Sequence, residues 1–119
     1  MNVQIQGIRY QPSSEDKTFV ETRIGNLDRF LSGADDQPVA EVNLELVEET
    51  HNNKKDIFRT EAVIKYAGQT YRAEDTKRSL EKSVTGVMEK LSKEIRRTKG
   101  KNQSLLRRGR GKINEMFGK

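Results

Sequence analysis

Residues 77–99 carry the feature that most constrains the fold, an amphipathic pattern with the period of an α-helix. Advancing 100° per residue places the apolar side chains of this segment on one stripe about 80° wide. The stripe consists of Leu80, Val84, Val87, Leu91 and Ile95, with Met88 at its edge. Only 32% of the chain is hydrophobic, so a small domain has to bury such a stripe in its core. The pattern predicts a helix over 77–99, with Asp75 or Thr76 as its N-cap.

The opposite side of this predicted helix is cationic. Its basic side chains fall within about 100° of arc and are Arg78, Lys82, Lys93, Arg96 and Arg97, with Lys90 just beyond. Surface helices ordinarily intersperse such cations with glutamates at i,i+4 spacing, whereas only Glu89 lies within this side. We interpret it as a phosphate-binding face, because each phosphate that a cation neutralises releases a condensed counterion. An ordinary solvated face is the alternative.

The remainder of the chain predicts one further helix and four strands. A helix is expected after Pro12, with a serine cap, acids in its first turn, and apolar residues at Val20, Ile24, Leu27 and Leu31. Period-two alternation predicts strands around Val3 and Ile5, over Ala40–Leu46, over Ile57–Tyr66 and over Gln69–Ala73, the last two joined by a turn at Ala67-Gly68. The order β-α-β-β-β-α predicts an α+β domain, a four-stranded sheet with two helices packed on one face.

Charge is distributed unevenly along the chain. Residues 1–76 carry nine Lys/Arg against fourteen Asp/Glu, and residues 77–119 carry fourteen against four. A basic segment behind an acidic one indicates a polyanionic partner. We expect a domain at 1–101 and a basic, flexible tail at 102–119. The tail offers further RNA contacts at Arg107, Arg108, Arg110 and Lys112, although a weakly amphipathic helix that meets a membrane or a partner is an alternative.

Residue types that carry catalysis or bind metals are scarce. The chain has no cysteine and one histidine, His51, in a polar segment, so a nucleophile–histidine pair or a metal site has no second member. Glu48-Glu49 is better explained as a charged strand end than as a catalytic pair, and no glycine-rich phosphate loop is present. We expect no enzymatic activity, no cofactor and no metal. With no signal peptide or membrane span in the sequence, we expect a cytoplasmic protein.

Three segments resemble a known family. They are Val3-Gln4-Ile5-Gln6-Gly7, the stretch Phe19–Phe30, and the stretch Val84–Arg97, which contains Glu-Lys-Leu and ends in basic residues. Together these segments are similar to the bacterial ribosome hibernation-promoting factors and the ribosome-associated inhibitor. The resemblance covers residues 1 to about 101. It departs at Ser79-Leu80-Glu81, where relatives often have Asp-Met-Tyr, which puts a stacking contact at position 81 in doubt.

The resemblance implies a short-form factor that binds the small ribosomal subunit between head and body, occupies the channel of messenger and transfer RNA at the A and P sites, and inhibits translation. The positions that match the family and would face 16S ribosomal RNA are Lys90, Lys93, Arg96, Arg97, Lys99 and Lys101, with Arg29 as an additional candidate. We expect the small ribosomal subunit as partner, no membrane, no small-molecule substrate, and a monomer when the protein is free.

Two other functions remain open from the sequence. A general double-stranded RNA-binding module shares the α-β-β-β-α order but lacks the first strand, and it reads RNA shape across successive minor grooves. Central pairing of Val3 and Ile5 in the sheet would favour the ribosome factor. A non-enzymatic regulatory adaptor that acts through its acidic strands is the other alternative.

Overall fold

The computed structural model contains a four-stranded sheet covered on one face by two helices. It describes residues 1–31, 37–48 and 56–112, with side chains described at 1–31, 37–47 and 56–98. The elements are β1 (Asn2–Ile8), α1 (Ser14–Gly25), a 3₁₀ helix (Asn26–Phe30), β2 (Val39–Glu48), β3 (Ile57–Tyr66), β4 (Gln69–Lys77) and α2 (Leu80–Lys112). The predicted α+β class and the order β-α-β-β-β-α are confirmed.

The strands lie in the sheet in chain order, β1-β2-β3-β4. β1 is parallel to β2, because α1 returns the chain across the sheet, and β2, β3 and β4 then form an antiparallel meander that grows away from β1. Val3 and Ile5 pair with Ala40 and Val42. β1 is therefore an edge strand. The central position of Val3 and Ile5 in the sheet, which would have favoured the ribosome factor over a double-stranded RNA-binding module, is not found.

The entry into α1 follows the sequence pattern closely. The Ser13 hydroxyl accepts a hydrogen bond from the Asp16 amide at 3.0 Å, and the Asp16 carboxylate accepts one from the Ser13 amide at 3.0 Å. This reciprocal arrangement satisfies two amides that the first turn leaves without a helical partner. The Tyr10 hydroxyl donates to the same carboxylate at 2.6 Å, so the cap also ties α1 to the end of β1.

The start of α2 differs from the prediction. β4 continues to Lys77, where it still pairs with Phe58 of β3, and the helix begins at Leu80 rather than at 77. Its N-cap is Ser79, whose hydroxyl accepts a hydrogen bond from the Lys82 amide at 3.1 Å. Asp75 and Thr76 lie within β4, so the prediction that one of them caps the helix is wrong. The long partner strand β3 extends the ladder past the predicted end at Ala73.

The end of α2 also differs, because the helical backbone reaches Lys112 instead of stopping near 99. Leucine, arginine, lysine and glutamine are good helix formers, and a glycine inside a helix costs only about 1 kcal/mol. The glycines at 100, 109 and 111 therefore do not prevent helix formation. The separate status and flexibility of residues 102–119 stay predictions.

The core lies between the sheet and the two helices. Its α1 side is formed by Val20 and Ile24, and α2 contributes all five residues of the predicted apolar stripe, each at most 5% exposed. The sheet and the remaining segments add Leu27, Leu31, Ala40, Val42, Leu44, Ala62, Ile64, Tyr66 and Tyr71. The opposite face of the sheet is left open to solvent, with Gln4, Glu41, Asn43, Glu61, Lys65 and Arg72 along it.

Candidate nucleic-acid interface

α2 is held against the sheet by its apolar stripe and presents its cations to solvent. All the described side chains of the predicted cationic side are exposed, namely Arg78, Lys82, Lys90, Lys93, Arg96 and Arg97. Arg78 lies in the short connection before α2, and the other five lie on the helix. We call this surface the outer face of α2.

Four of these cations, Arg96 among them, have no acidic partner in the described part of the chain. The ion pairs among those residues do not include Arg78, Lys82, Lys93 or Arg96. An unneutralised charge at the surface acts over roughly a Debye length, about 8 Å at physiological ionic strength. The four side chains therefore keep their full attraction for an approaching anion.

Arg97 has a nearby acid but is only weakly held by it. Its Nη1 lies 3.4 Å from Oε1 of Glu94, and the two side chains are 65% and 49% exposed. Exposed pairs of this kind contribute little, typically below about 1 kcal/mol. Glu89 is exposed and makes no ion pair among the described residues. The outer face of α2 therefore has a net positive charge, because its six cations outnumber Glu89 and Glu94.

Phe30 brings Arg29 next to the helix. The guanidinium carbon of Arg29 lies 4.8 Å from the centre of the Phe30 ring, and that of Arg96 lies 5.6 Å from the same ring centre. Both distances lie within the range of cation–π attraction. The 3₁₀ helix therefore adds Arg29 to the cationic surface at the flank of α2. Sequence reasoning missed Phe30, because its contact with Arg96 spans distant segments.

Lys90 is more constrained than the other cations. Its ammonium donates a hydrogen bond to the Glu74 carbonyl of β4 at 2.9 Å and lies 3.7 Å from the Asp75 carboxylate. The same carboxylate lies 3.7 Å from the ammonium of Lys77. Lys77 was also missed by sequence reasoning, which treated it as the first helical residue rather than as the end of β4.

The open face of the sheet carries charges of both signs, and three ion pairs across neighbouring strands neutralise many of them. Arg59 contacts Glu45 at 3.3 Å and also binds Glu74, and Arg72 contacts Glu61 at 3.0 Å. These pairs join β2, β3 and β4, since neighbouring strands place such side chains within reach. This face is therefore a network of ion pairs, unlike the outer face of α2.

The resolved pKa shifts lie away from the outer face of α2 and have structural causes. Burial and then the hydrogen bond to Asp16 raise the pKa of Tyr10 to about 12. Burial alone would raise the pKa of Asp16, but hydrogen bonds from Tyr10 and Ser13 outweigh it and lower that pKa. Burial, followed by the charge of Glu94, raises the pKa of Tyr71. These shifts follow from a helix cap and from packing, and they do not indicate a proton-transfer site.

Several predicted positions lie outside the described side chains. They are Lys99, Lys101, Arg107, Arg108, Arg110 and Lys112, whose backbone continues α2, together with His51, Glu48 and Glu49. Among the side chains that are described, no group of three or more His, Cys, Asp or Glu residues could hold a metal ion. No helix in the described ranges is long and apolar enough to cross a membrane.

The fold and this surface define a class, a small α+β domain that presents a cationic helix beside an ion-paired sheet. A family model described as Sigma 54 modulation protein / S30EA ribosomal protein matches residues 3–103, and the chain belongs to that family. The family resemblance found in the sequence is thereby confirmed. Membership places the chain among ribosome-associated proteins.

Solved structures share the fold. The N-terminal domain of Protein Y from Thermus thermophilus is 21% identical with a TM-score of 0.68, over 82% of this chain and 99% of that one. A ribosomal subunit interface protein from Coxiella burnetii is 17% identical with a TM-score of 0.64, over 84% and 99% of the two chains. No curated protein sequence matches the chain.

Proposed function

We propose that this protein is a non-catalytic translation inhibitor that docks the outer face of α2 on 16S ribosomal RNA of the small ribosomal subunit. The observation that carries the proposal is the row of exposed cations on α2, of which Arg78, Lys82 and Lys93 have no acidic partner among the described residues. Membership of a ribosomal-protein family supports the ribosome as the source of the RNA.

The geometry suits a phosphate backbone better than a small molecule. A helix rises about 1.5 Å per residue, so Lys82 and Arg97, the first and last helical cations of this face with described side chains, lie roughly 22 Å apart along the axis. Cations spread over that length can contact several successive phosphates, and the affinity then depends strongly on salt. The buried apolar stripe beneath fixes the helix backbone from which these cations extend.

The proposed location is the channel of messenger and transfer RNA between the head and the body of the subunit, at the A and P sites. The resemblance to hibernation factors supports this location. Occupation of that channel blocks decoding by exclusion, and no chemical step or cofactor is required. In this proposal the free protein is a cytoplasmic monomer.

Cosedimentation with purified bacterial small subunits tests whether the protein binds the small ribosomal subunit. We expect the protein to sediment with the subunits at moderate salt, to be displaced by initiator transfer RNA, and to slow cell-free translation in proportion to occupancy. Translation at full rate with saturated ribosomes would remove the inhibitor assignment.

Double-stranded RNA of defined length separates the ribosome factor from a general double-stranded RNA-binding module. The ribosome factor should bind the small subunit far more tightly than an RNA duplex at equal salt. Equal affinity for both would favour the general module instead. Failure to bind either RNA would favour an adaptor that recognises protein.

A further inference from the structure

One carboxylate lies between two lysines at the point where α2 crosses β4. The oxygens of Asp75 lie 3.7 Å from the ammonium of Lys77 and 3.7 Å from that of Lys90. The carboxylate belongs to a side chain that is only 14% exposed, whereas the lysine side chains are 50% and 56% exposed. The acid therefore lies beneath the two cations, and the cations remain open to solvent above it.

The position of this carboxylate depends on a glycine in α2. A Cβ atom at Gly86 would overlap the Asp75 carboxylate, so any larger residue there would force the acid to move. The Asp75 carboxylate also accepts a hydrogen bond from the Thr76 amide at 2.9 Å. The helix surface and the strand backbone together hold the acid in one place.

Lys90 is fixed by two groups of β4 rather than by one. Besides the Asp75 carboxylate, its ammonium has the Glu74 carbonyl as hydrogen-bond acceptor at 2.9 Å. An ammonium has three donors, so at least one N–H of Lys90 remains available to a ligand. A lysine held in this way has already lost much of the rotamer freedom that a free lysine loses on binding, so its immobilisation opposes binding less.

We infer that Lys77 and Lys90 form a phosphate-binding pair within the RNA interface and that Asp75 is the residue that positions them. The inference rests on the proposed function and names a subsite of that interface. Each ammonium group lies 3.7 Å from a different oxygen of the same carboxylate, and the exposed sides of both are open to the anionic oxygens of a backbone phosphate. Lys77 thereby joins the interface through β4, outside the helix.

If Asp75 positions the lysines, removal of its charge should change the affinity for RNA in the direction opposite to that expected from electrostatic repulsion alone. Removal of an acid from a surface that binds a polyanion should raise affinity, because a repulsive charge is lost. If Asp75 positions the lysines, its removal should lower affinity despite that gain. Glu89 is the control, since it is an exposed acid on α2 that pairs with no cation in the described part of the chain.

The experiment measures the affinity of the full chain for purified bacterial small subunits at several salt concentrations. We expect Asp75→Asn to lower affinity several-fold and Glu89→Gln to raise it slightly. Gly86→Ala should also lower affinity several-fold, because it displaces the carboxylate without any change of charge. Alanine is a better helix former than glycine, so this variant does not weaken the helix itself. Thermal unfolding of each variant establishes that it is folded.

A double-mutant cycle distinguishes positioning of Lys77 and Lys90 by Asp75 from a general contribution of Asp75 to the structure. In the Lys77→Ala/Lys90→Ala background, Asp75→Asn should produce no further loss of affinity, since its effect passes through the two lysines. An undiminished loss in that background, or tighter binding by the single variant Asp75→Asn, overturns the inference. Absence of binding by the parent protein overturns the proposed function instead, so the two failures are distinguishable.

Discussion

On the open face of the sheet, arginines lie opposite glutamates on neighbouring strands, whereas along the outer face of α2 cations follow one another with few acids between them. Arg59 and Arg72 each contact at least one glutamate of an adjacent strand. Lys82 and Lys93 contact no acid in the described part of the chain. The number of basic residues on a surface is thus a weaker guide to binding than their arrangement.

The cationic arrangement on α2 works against helix stability. Lys93 and Arg97 are four residues apart, and like charges at this spacing destabilise a helix by about 0.2–0.5 kcal/mol. Opposite charges across strands have the reverse effect, contributing roughly 0.2–1 kcal/mol per pair. The sheet face is therefore arranged for stability. On the outer face of α2 the like charges of Lys93 and Arg97 oppose stability, and the contact of Arg97 with Glu94 offsets part of that effect.

The largest effect on stability is expected on the inner side of α2, which supports both surfaces. Leu91 is fully buried, so Leu91→Ala should lower the free energy of unfolding by about 2–5 kcal/mol. The ribosome affinity of the molecules that remain folded should hardly change, because no cation is removed. Chemical denaturation and binding at a temperature well below the transition measure the two quantities. A variant that stays fully stable but no longer binds would show that Leu91 acts in binding.

Charge reversal on α2 tests whether the outer face of this helix binds the ribosome. Lys93→Glu with Arg97→Glu replaces two attractive charges by repulsive ones, and affinity for the small subunit should fall by about a hundredfold or more. The free energy of unfolding should change by less than about 1 kcal/mol per exposed charge. Cosedimentation and denaturation together measure both.

The matched control reverses two charges on the open face of the sheet. Lys65→Glu with Arg72→Glu changes the net charge of the protein by the same amount, so a general loss of attraction would affect both variants equally. We expect the sheet variant to bind nearly as well as the parent. Equal losses in the two variants would show that net charge, and not the outer face of α2, determines binding.

The helices and strands could be predicted from the sequence because the residue patterns that indicate them lie within the elements themselves. Period-two alternation identified β3 at its observed bounds, Ile57–Tyr66, and the 3.6-residue period identified the buried stripe of α2 before any contact was known. A serine cap and acids in the first turn after Pro12 predicted the start of α1, and the cap is found at Ser13 with Asp16. Each signal lies within a few residues of the feature it predicts.

Features that depend on contacts between distant segments could not be predicted in this way. The contact of Arg96 with Phe30 joins α2 to the 3₁₀ helix, and the approach of Asp75 to Gly86 joins β4 to α2. The start of α2 was misplaced because β4 extends as far as its partner β3 allows. The composition of residues 77–79 does not reveal that pairing, although Ser79 itself is a good N-cap residue.

A smaller effect distinguishes the role of arginine on the sheet from that of lysine on the helix. Arg59 connects Glu45 of β2 to Glu74 of β4, so Arg59→Met should lower the free energy of unfolding by about 0.5–1 kcal/mol and leave ribosome affinity nearly unchanged. Lys82→Met should do the reverse, with a clear loss of affinity and little change in stability. Both substitutions replace a long cation by methionine, so side-chain length is matched. Loss of affinity in Arg59→Met, measured with protein shown to be folded, would contradict the division between the two surfaces.

The smallest expected effect is a change in salt dependence, and it compares two single lysines. Lys93 on α2 and Lys65 on the open face of the sheet are both exposed and make no ion pair in the described part of the chain. If Lys93 contacts a phosphate, Lys93→Ala should weaken binding a few-fold and reduce the slope of log affinity against log salt by about one. Lys65→Ala removes the same charge from a surface that faces no phosphate, so its slope should equal that of the parent. A titration of small subunits at four or five salt concentrations measures both slopes. Equal slopes for the two variants would mean that lysines contribute to binding only through the net charge, and the outer face of α2 would then have no special contact with the RNA.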